Sequence, residues 1–447
     1  MGRLFACALA VCCGLSRAAA ADREVGAADA GRYWPAWRGP LSTGVAPHAD
    51  PPVEWSERKN IRWKIGLPGK GHSTPIVWGD QVFVTTAVPY GEAAKPERTD
   101  PHEHDNLSFT HHQRLMVLAI NRRDGKIAWE RVVHKELPHE GGHHTGSYAS
   151  NSPVTDGEYL FAFFGSRGLY CLTVGGEDVW TTDLGEKHTK HAHGEGSSPT
   201  LHGDTLVVNW DHEGQSFVTA LDKRTGKPLW KVARQEESSW ATPIVVEHRG
   251  KLQVVVSGTN RLRGYDLRTG DVIWECGGLS RNIVASPVSA NGMVYAGSSY
   301  GIQAMLAIRL DGARGDLTGT DRVVWSRRRS TPYVPSLLLY GEALYFLHHY
   351  QPILSRVDAK TGDEPHGPNR LPGIRDIYAS PVAAANRVYI TDLSGATLVI
   401  RHGGDFRPLA HNRLDDRFSA SAALVGRELY LRGEQHLYCI AESKAAE

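Results

Sequence analysis

Histidines and carboxylates are concentrated in two short segments of the chain, residues 138–145 and 188–195. Imidazole together with carboxylate is a ligand combination that suits zinc, copper, iron or nickel. If residues 191–193 form an extended stretch, the two histidines at its ends point the same way. With a histidine of the first segment they would make a three-histidine site with an open position, as catalytic zinc sites require. The metal ligands predicted on this basis are His143, His144, His191, His193 and Glu195.

The spacing of these histidines matches no dedicated metal motif, so other roles stay open. They can equally be solvated loop residues that line a polar channel or bond to neighbouring backbone. A role in binding a polar ligand or in general acid–base catalysis is a third alternative. A polar segment rich in proline and histidine, residues 88–112, adds further imidazoles. They are His102, His104, His111 and His112.

Two tryptophans lie beside polar residues in a way that suggests a second binding surface. Aromatic rings next to carboxylate, amide and guanidinium groups make a platform for a sugar or a planar ligand. The alternative is that both rings pack in the core or between sheets. The residues predicted to line this ligand-binding surface are His139, Trp210, Asp211, His212, Glu213, Trp240, Asn260 and Arg261.

Other kinds of chemistry find no support in the sequence. There is no P-loop, no Gly-x-Ser-x-Gly nucleophile elbow and no His-Glu-x-x-His helix. The 447 residues carry 50 Lys and Arg against 49 Asp and Glu, a net charge of +1. A general nucleic-acid binder needs a local excess of basic residues to neutralise phosphates, so no nucleic-acid partner is expected. Because 41% of the residues are hydrophobic, a large core can be buried and disorder is not expected.

The elements that must position these residues are visible as a repeat of about 44 residues. Each unit has a Ser-Pro or related pair, an apolar strand, a Gly-Asp or Asn-Gly turn and a second strand. A third strand ending near Asp, a Thr-Gly turn and a fourth strand with Trp complete it. Four short strands per unit at this spacing are typical of a β-propeller. The first-strand signals are Ser73-Thr74-Pro75, Ser152-Pro153, Ser198-Pro199, Thr242-Pro243, Ser286-Pro287, Val334-Pro335, Ser380-Pro381 and Ser419-Ala420-Ser421.

Counting these signals predicts an all-β, eight-bladed propeller of four-stranded antiparallel blades. The last unit ends after its third strand, residues 437–441. Its fourth strand is predicted at residues 60–64, which contain a Trp but have no strands before them. Joining both ends of the chain in one blade closes the ring and removes exposed edge strands. The tryptophans that follow the late turns are expected to pack between neighbouring sheets. They are Trp129, Trp180, Trp230, Trp274 and Trp325.

The N-terminus has the three parts of a signal peptide. Arg3 precedes the apolar run of residues 4–15, and small residues 18–21 offer a cleavage site. The protein is therefore expected to be exported and to be periplasmic or secreted. No later stretch approaches the roughly 20 apolar residues of a membrane helix, so no transmembrane segment is predicted. Cys12 and Cys13 lack a well-formed lipobox, which argues against a lipid anchor.

The chain divides into four parts on these grounds. They are a signal peptide (1–21), an N-terminal extended segment (22–59), the propeller (60–441, with its insertion in blade one at about 88–112) and a C-terminal tail (442–447).

The repeated Leu-Asp, Thr-Gly-Lys and Leu-Trp pattern, clearest at residues 220–230, resembles the pyrroloquinoline-quinone (PQQ) repeat. The mature chain resembles the PQQ-like β-propeller proteins, a group often described as similar to the outer-membrane assembly lipoprotein BamB. The opening Trp-Pro-Ala-Trp-Arg-Gly-Pro, residues 34–40, is similar to that of exported members common in planctomycete-type bacteria. The repeat is specific for the fold but weak for function, because propellers include enzymes, scaffolds and binders alike.

The resemblance implies two classes of function. A quinoprotein dehydrogenase would hold PQQ and calcium in the ring centre and oxidise alcohols or sugars. Such enzymes are generally longer, and many use an adjacent cysteine pair that the mature chain lacks. Their aspartate-based catalytic and calcium motif also cannot be placed on any segment, so PQQ and calcium are not expected. The function predicted here is the second class, a binding or scaffold protein of the cell envelope. It is expected to act through a histidine-rich rim, formed around blades one to four by the loops that enter the innermost strands and those that join the second and third strands.

A third class, a metal-dependent enzyme that uses the rim histidines, also stays open, and with it the question of enzymatic activity. A bound transition metal is the cofactor that the rim would favour. The expected partner is an envelope protein or a polysaccharide, and the expected state is a monomer.

Overall fold

The computed structural model describes residues 30–95, 100–107 and 109–442. The predicted signal peptide and all but the first residue of the predicted tail lie outside these ranges. Within them the chain forms eight four-stranded antiparallel sheets, one of which carries a short fifth strand. The sheets are the blades of a propeller, so the predicted all-β, eight-bladed fold is confirmed. No helix in the described ranges has the length and apolar character that a membrane crossing requires.

Blades 1 to 4 follow one another along the chain and run from the innermost strand outwards. Their strands are Ile76–Trp78, Gln81–Tyr90, His112–Asn121 and Ile127–Glu136 in blade 1; Val154–Thr155, Tyr159–Phe163, Leu169–Thr173 and Asp178–Thr182 in blade 2; Thr200–His202, Thr205–Trp210, Phe217–Asp222 and Pro228–Ala233 in blade 3; and Ile244–His248, Lys251–Ser257, Leu262–Asp266, Val272–Cys276 and the added Gly315–Asp316 in blade 4.

Blades 5 to 8 complete the ring in the same order. Their strands are Val288–Ala290, Met293–Ser298, Ala304–Arg309 and Val323–Arg327 in blade 5; Leu338–Tyr340, Ala343–Leu347, Ile353–Asp358 and Asn369–Arg370 in blade 6; Val382–Ala384, Arg387–Thr391, Ala396–Arg401 and Pro408–Arg413 in blade 7; and Ala423–Val425, Glu428–Arg432, His436–Ala441 and Ile61–Gly66 in blade 8. A separate pair, Asn106–Leu107 with Gly142–His143, and two 3-10 turns, Gly165–Arg167 and Lys190–Ala192, lie in the connecting loops.

Blade 8 joins the two ends of the chain, as the truncated last repeat predicts. Its outermost strand is Ile61–Gly66, which pairs antiparallel with His436–Ala441, and Trp63 lies opposite Cys439. The N-terminal strand therefore supplies the partner that the last repeat lacks, and the predicted closure is confirmed.

The middle strands of each blade are continuous apolar runs because neighbouring blades cover both of their faces. In blade 1, for example, every residue from Leu115 to Ile120 is buried. The outermost strands face solvent on one side and mix exposed with half-buried residues, as in Asp178–Thr182. The hydrophobic core is accordingly divided into clusters that lie between adjacent blades.

The outer-strand tryptophans connect each blade to the next. The Trp180 indole N–H in blade 2 donates to the carbonyl of Lys223 in blade 3 at 2.9 Å, and its ring packs on Gly226 of that blade's Thr-Gly turn. Trp63, Trp129, Trp230 and Trp325 make the same type of bond to the following blade. Trp274 instead bonds to Gln253 of its own blade, because blade 5 has a longer insertion where its neighbours have the Thr-Gly turn.

Replacing Gly226 by alanine is expected to destabilise the protein by about 3 kcal/mol. An added Cβ would come within 2.5 Å of the Trp180 ring, and the backbone has a φ of +68°, which disfavours any residue with a side chain. Gly203 of the same blade has a φ of +57° but open space around it. Gly203→Ala should therefore cost only about 1 kcal/mol. Urea unfolding of both variants measures the difference, and equal losses would show that the tryptophan contact contributes nothing.

A ring of hydroxyl groups links the innermost strands. At seven junctions the backbone N–H at the Ser-Pro position of one blade donates to the equivalent hydroxyl of the next, at 2.8–3.0 Å. The hydroxyl ring consists of Ser152, Ser198, Thr242, Ser286, Ser336, Ser380 and Ser421, and Thr74 of blade 1 contributes only its backbone N–H. Between blades 8 and 1, the guanidinium of Arg432 donates to the hydroxyl of Ser73 at 2.5 Å.

Residues 34–46, which we call the N-terminal strap, cross the ring axis. At one end the backbone of Trp34 pairs with the innermost strand of blade 1. At the other end the buried guanidinium of Arg38 donates to the carbonyls of Leu337 in blade 6 and Pro381 in blade 7, at 2.8 and 2.9 Å. The carbonyl of Pro35 also accepts the backbone N–H of Thr155 in blade 2, which lies opposite blade 6 in a ring of eight, so one short segment ties opposite blades together.

Candidate functional site

A cavity of about 770 Å³ lies on the ring axis. Each of the eight segments that lead into an innermost strand contributes to its wall, and Trp37 of the N-terminal strap also lines it. The sequence predicted a functional rim around blades 1 to 4, whereas all eight blades line this cavity. Because loops held by a rigid scaffold commonly carry binding sites, this cavity is the candidate functional site.

One side of the cavity is a wall of stacked aromatic rings from blades 5 to 7. The rings of Tyr300 and Tyr333 stack with centroids 5.8 Å apart, and Tyr333 lies 4.4 Å from His349. Tyr350 and Tyr378 are nearly parallel, at 6° and 5.9 Å. Burial raises the pKa of Tyr333 to about 12, so its hydroxyl stays protonated at neutral pH. We call these five rings the aromatic wall.

Beside the loops of blades 1 to 3 lies a cluster of four histidines, His104, His143, His191 and His193. The centroids of the contacting rings are 4.7–5.4 Å apart. Burial lowers the pKa of His193 to about 4, with help from the neighbouring imidazoles, and burial also lowers the pKa of His143 and His191. These three side chains are therefore neutral near pH 7.

The cluster depends on the insertion of blade 1. Asn106 in the insertion donates through its amide to the carbonyls of His191 and Ala192, at 2.7 and 2.9 Å. Its amide oxygen lies 3.0 Å from Nδ1 of His193. The insertion thus holds the loop before blade 3 in place and contributes His104 to the cluster.

The expectation that residues 191–193 are extended is wrong. Residues Lys190–Ala192 form a 3-10 turn in which His191 has a φ of +56°. The two histidine rings still lie close together, with centroids 5.4 Å apart, because the turn is tight enough to bring alternate side chains side by side.

The structure brings three of the five predicted metal ligands together and leaves two outside the cluster. The carboxylate of Glu195 accepts the backbone N–H of Ser166 at 3.0 Å and packs against Gly165, where any side chain would collide with it. The ring of His144 lies 4.4 Å from that of His143, tilted by 37°, but its Nδ1 faces the carbonyl of Asp105 at 3.0 Å and the side chain is exposed.

A second group of potential ligands lies at the edge of the cavity, where the sequence singled out only His139. One donor atom each of His139, Glu140 and His188 lies within 4.8 Å of the others, and no other set of three or more such residues in the described part of the chain is as compact. Glu140 is buried, which raises the pKa of its carboxyl, although the hydrogen bonds from Thr189 oppose the shift. Glu140 and His188 both lie in the histidine-rich segments, but no known metal motif has a spacing that links residues 139 and 188.

Trp210 and Asp211, from the predicted ligand platform, are buried and help to hold blade 3 together. Trp210 ends a strand and is 2% exposed, stacked on Phe217 at 5.5 Å. The carboxylate of Asp211 accepts two bonds from the guanidinium of Arg234, at 2.7 and 3.1 Å, and both side chains are fully buried. Neither Trp210 nor Asp211 lines the cavity.

The other residues predicted for the ligand-binding surface do not form one surface. His212 is buried and accepts the backbone N–H of His188 at 3.2 Å, and Glu213 accepts that of Ser238 at 3.1 Å. Asn260 is exposed, outside the cavity lining, and Arg261 pairs with Asp316 at 3.0 Å. Two of the eight line the cavity, namely His139 and Trp240.

Comparison with known proteins places this geometry in context. The sequence profile described as outer membrane protein assembly factor BamB matches residues 113–364 and 218–446, which together span 113–446. No curated protein sequence gives a significant match.

Solved structures share the fold at low sequence identity. BamB from Moraxella catarrhalis is 15% identical with a TM-score of 0.58, and the match covers 87% of this chain and 98% of BamB. Quinohemoprotein alcohol dehydrogenase from Comamonas testosteroni is 10% identical with a TM-score of 0.64, covering 94% of this chain and 82% of the enzyme. A quinohemoprotein alcohol dehydrogenase from Pseudomonas putida is 12% identical with a TM-score of 0.57, covering 94% and 82%.

Proposed function

The chain belongs to the family of the outer membrane protein assembly factor BamB, and from that premise we propose that it is an exported binding protein of the cell envelope. Its ligand or partner segment occupies the cavity on the ring axis. The observation that carries this proposal is the aromatic wall, which presents stacked ring faces to a cavity large enough for a small molecule or a short chain segment.

The exposed members of the aromatic wall are suited to contact a ligand. Tyr300 is 39% exposed and Tyr350 is 36% exposed, whereas most aromatic residues of the chain are buried. Tyrosine faces pack against sugar rings or apolar side chains, and the hydroxyl groups offer hydrogen bonds at the same time. A polysaccharide segment or an extended polypeptide therefore fits the cavity, which agrees with an envelope partner.

A PQQ-dependent dehydrogenase is the alternative that the structural neighbours raise. The residues present do not fit that cofactor, which carries three carboxylates and calls for several cations. The lining contains the cations Lys70 and Arg167, and Arg167 is already paired with Glu136. The cysteines Cys171, Cys276 and Cys439 are all buried in strands and line no part of the cavity.

Binding to the cavity can be tested with a double variant, Tyr300→Ser with Tyr350→Ser. Each aromatic face is worth about 0.5–1.5 kcal/mol, so loss of both should reduce affinity roughly tenfold. The probes are isotope-labelled polysaccharide and protein fractions of the envelope, applied separately to immobilised protein. Leu229→Ser is the matched control, since Leu229 is 53% exposed on an outermost strand far from the cavity.

We expect the control to retain as much labelled material as the wild type and the double variant to retain about a tenth. Equal retention by all three proteins would place binding outside the cavity. Reduction of a redox dye by alcohol after addition of PQQ and calcium, lost in the double variant, would favour the dehydrogenase instead.

A further inference from the structure

We propose that His139, Glu140 and His188 bind a divalent transition metal ion of the zinc type at the edge of the cavity. Their donor atoms are the three that lie within 4.8 Å of one another in the described residues. This proposal is independent of the function proposed above, because it requires no ligand in the cavity.

A hydrogen bond fixes the tautomer of His139 and leaves one ring nitrogen free to bind a metal. Its Nε2 lies 2.6 Å from the backbone carbonyl of Lys187, and because a carbonyl only accepts, Nε2 must carry the proton. Nδ1 then presents a lone pair, and this atom is buried without a hydrogen-bond partner. Metal-ligating histidines typically donate their second ring N–H to a carbonyl in this way, which fixes the ring orientation.

Glu140 is oriented by a neighbouring loop. Its Oε2 accepts the hydroxyl of Thr189 at 3.0 Å and the backbone N–H of the same residue at 3.1 Å. Its Oε1 lies 3.2 Å from Nδ1 of His188. The carboxylate is thus held in one position in a residue that is only 9% exposed, within 4.8 Å of a ring nitrogen of His139.

His188 supplies the adjustable third ligand. Its side chain is 66% exposed, so the imidazole can rotate without disturbing the packing around it. A tetrahedral zinc ion about 2.1 Å from each donor holds the donors roughly 3.4 Å apart. The Glu140–His188 pair already has this spacing, at 3.2 Å, and all three donors lie within 4.8 Å of one another. Rotation of the exposed His188 ring lets its donor adjust to the ion.

Two imidazoles and one carboxylate form a ligand set known from zinc sites that keep an open position. Since His139 and Glu140 line the cavity, an ion held here leaves that position directed at the cavity edge. The cluster around His193 differs, because its four rings do not bring three donor atoms within 4.8 Å of one another.

The test uses the full mature protein, purified without a tag and stripped with chelator, and Zn²⁺ as the probe. We expect one tightly bound Zn²⁺ per chain by calorimetry, and a visible spectrum of tetrahedral type on replacement by Co²⁺. Glu140→Gln and His188→Ala should each weaken Zn²⁺ binding by about 100-fold. His202→Ala, which removes an exposed histidine on blade 3, should leave it unchanged.

His188→Ala keeps the test decisive, because an exposed residue can be removed without unfolding the ring. Absence of Zn²⁺ binding to the wild type at micromolar concentration would overturn the proposal. It would also be overturned if both variants kept full affinity while the double variant His143→Ala with His193→Ala lost it. In that case the four-histidine cluster would hold the ion.

Discussion

Replacing Trp34 by alanine should lower the free energy of unfolding by about 4 kcal/mol. Trp34 is fully buried, and Gly39 of the same strap packs directly on its ring. Truncation leaves a cavity and removes a large apolar contact between the N-terminal strap and blade 1. Chemical denaturation monitored by circular dichroism measures the loss, and Trp34→Phe should recover more than half of the stability.

The control for this variant lies in the same segment. Leu41 is 53% exposed, so Leu41→Ala should change the stability by less than about 0.5 kcal/mol. If Trp34→Ala were as stable as Leu41→Ala, the strap would not contribute to the stability of the ring and would be only a loosely attached extension.

The second large effect is expected at Asp211, where alanine should destabilise the protein by about 3–5 kcal/mol. The variant leaves the guanidinium of Arg234 buried without its counter-charge, and it also removes the acceptor for the hydroxyl of Ser239, 2.7 Å away. Equilibrium unfolding in guanidinium chloride gives the value.

A double-mutant cycle with Arg234→Met separates the ion pair from packing. Because the double variant no longer carries an isolated buried charge, it should be more stable than Asp211→Ala alone. A strictly additive cycle would contradict this account. A ligand contacted by Asp211, as its sequence position suggested, would instead give a variant that folds normally and binds less.

The fold could be predicted from sequence because its signals are local. Turns such as that at Gly226 recur in most units, six of the eight blades have a tryptophan in their outermost strand, and neither signal needs long-range information. The closure at Trp63 was predictable for the same reason, since an incomplete unit at each end of the chain leaves only one arrangement.

The candidate site was only partly predictable. The sequence located the histidine-rich rim, but the partners of individual side chains lie far apart in the chain. Asp211 follows the second strand of blade 3 and meets Arg234 after the fourth strand, and His188 meets Glu140 across a blade junction. The polar character of these residues therefore made them candidates. Only the folded chain shows which of them already have a hydrogen-bond or ion-pair partner within the protein.

The hydroxyl ring bears on which blades can pack side by side. Seven junctions use interchangeable Ser or Thr links, so any two units could in principle stand side by side. The junction between blades 8 and 1 is bridged by Arg432, and Gly71 leaves room for it, since a Cβ there would lie 2.2 Å from the guanidinium. The arginine link therefore makes this junction specific to blades 8 and 1. It favours a single chain that closes on itself after eight blades over rings of another size or rings shared between two chains.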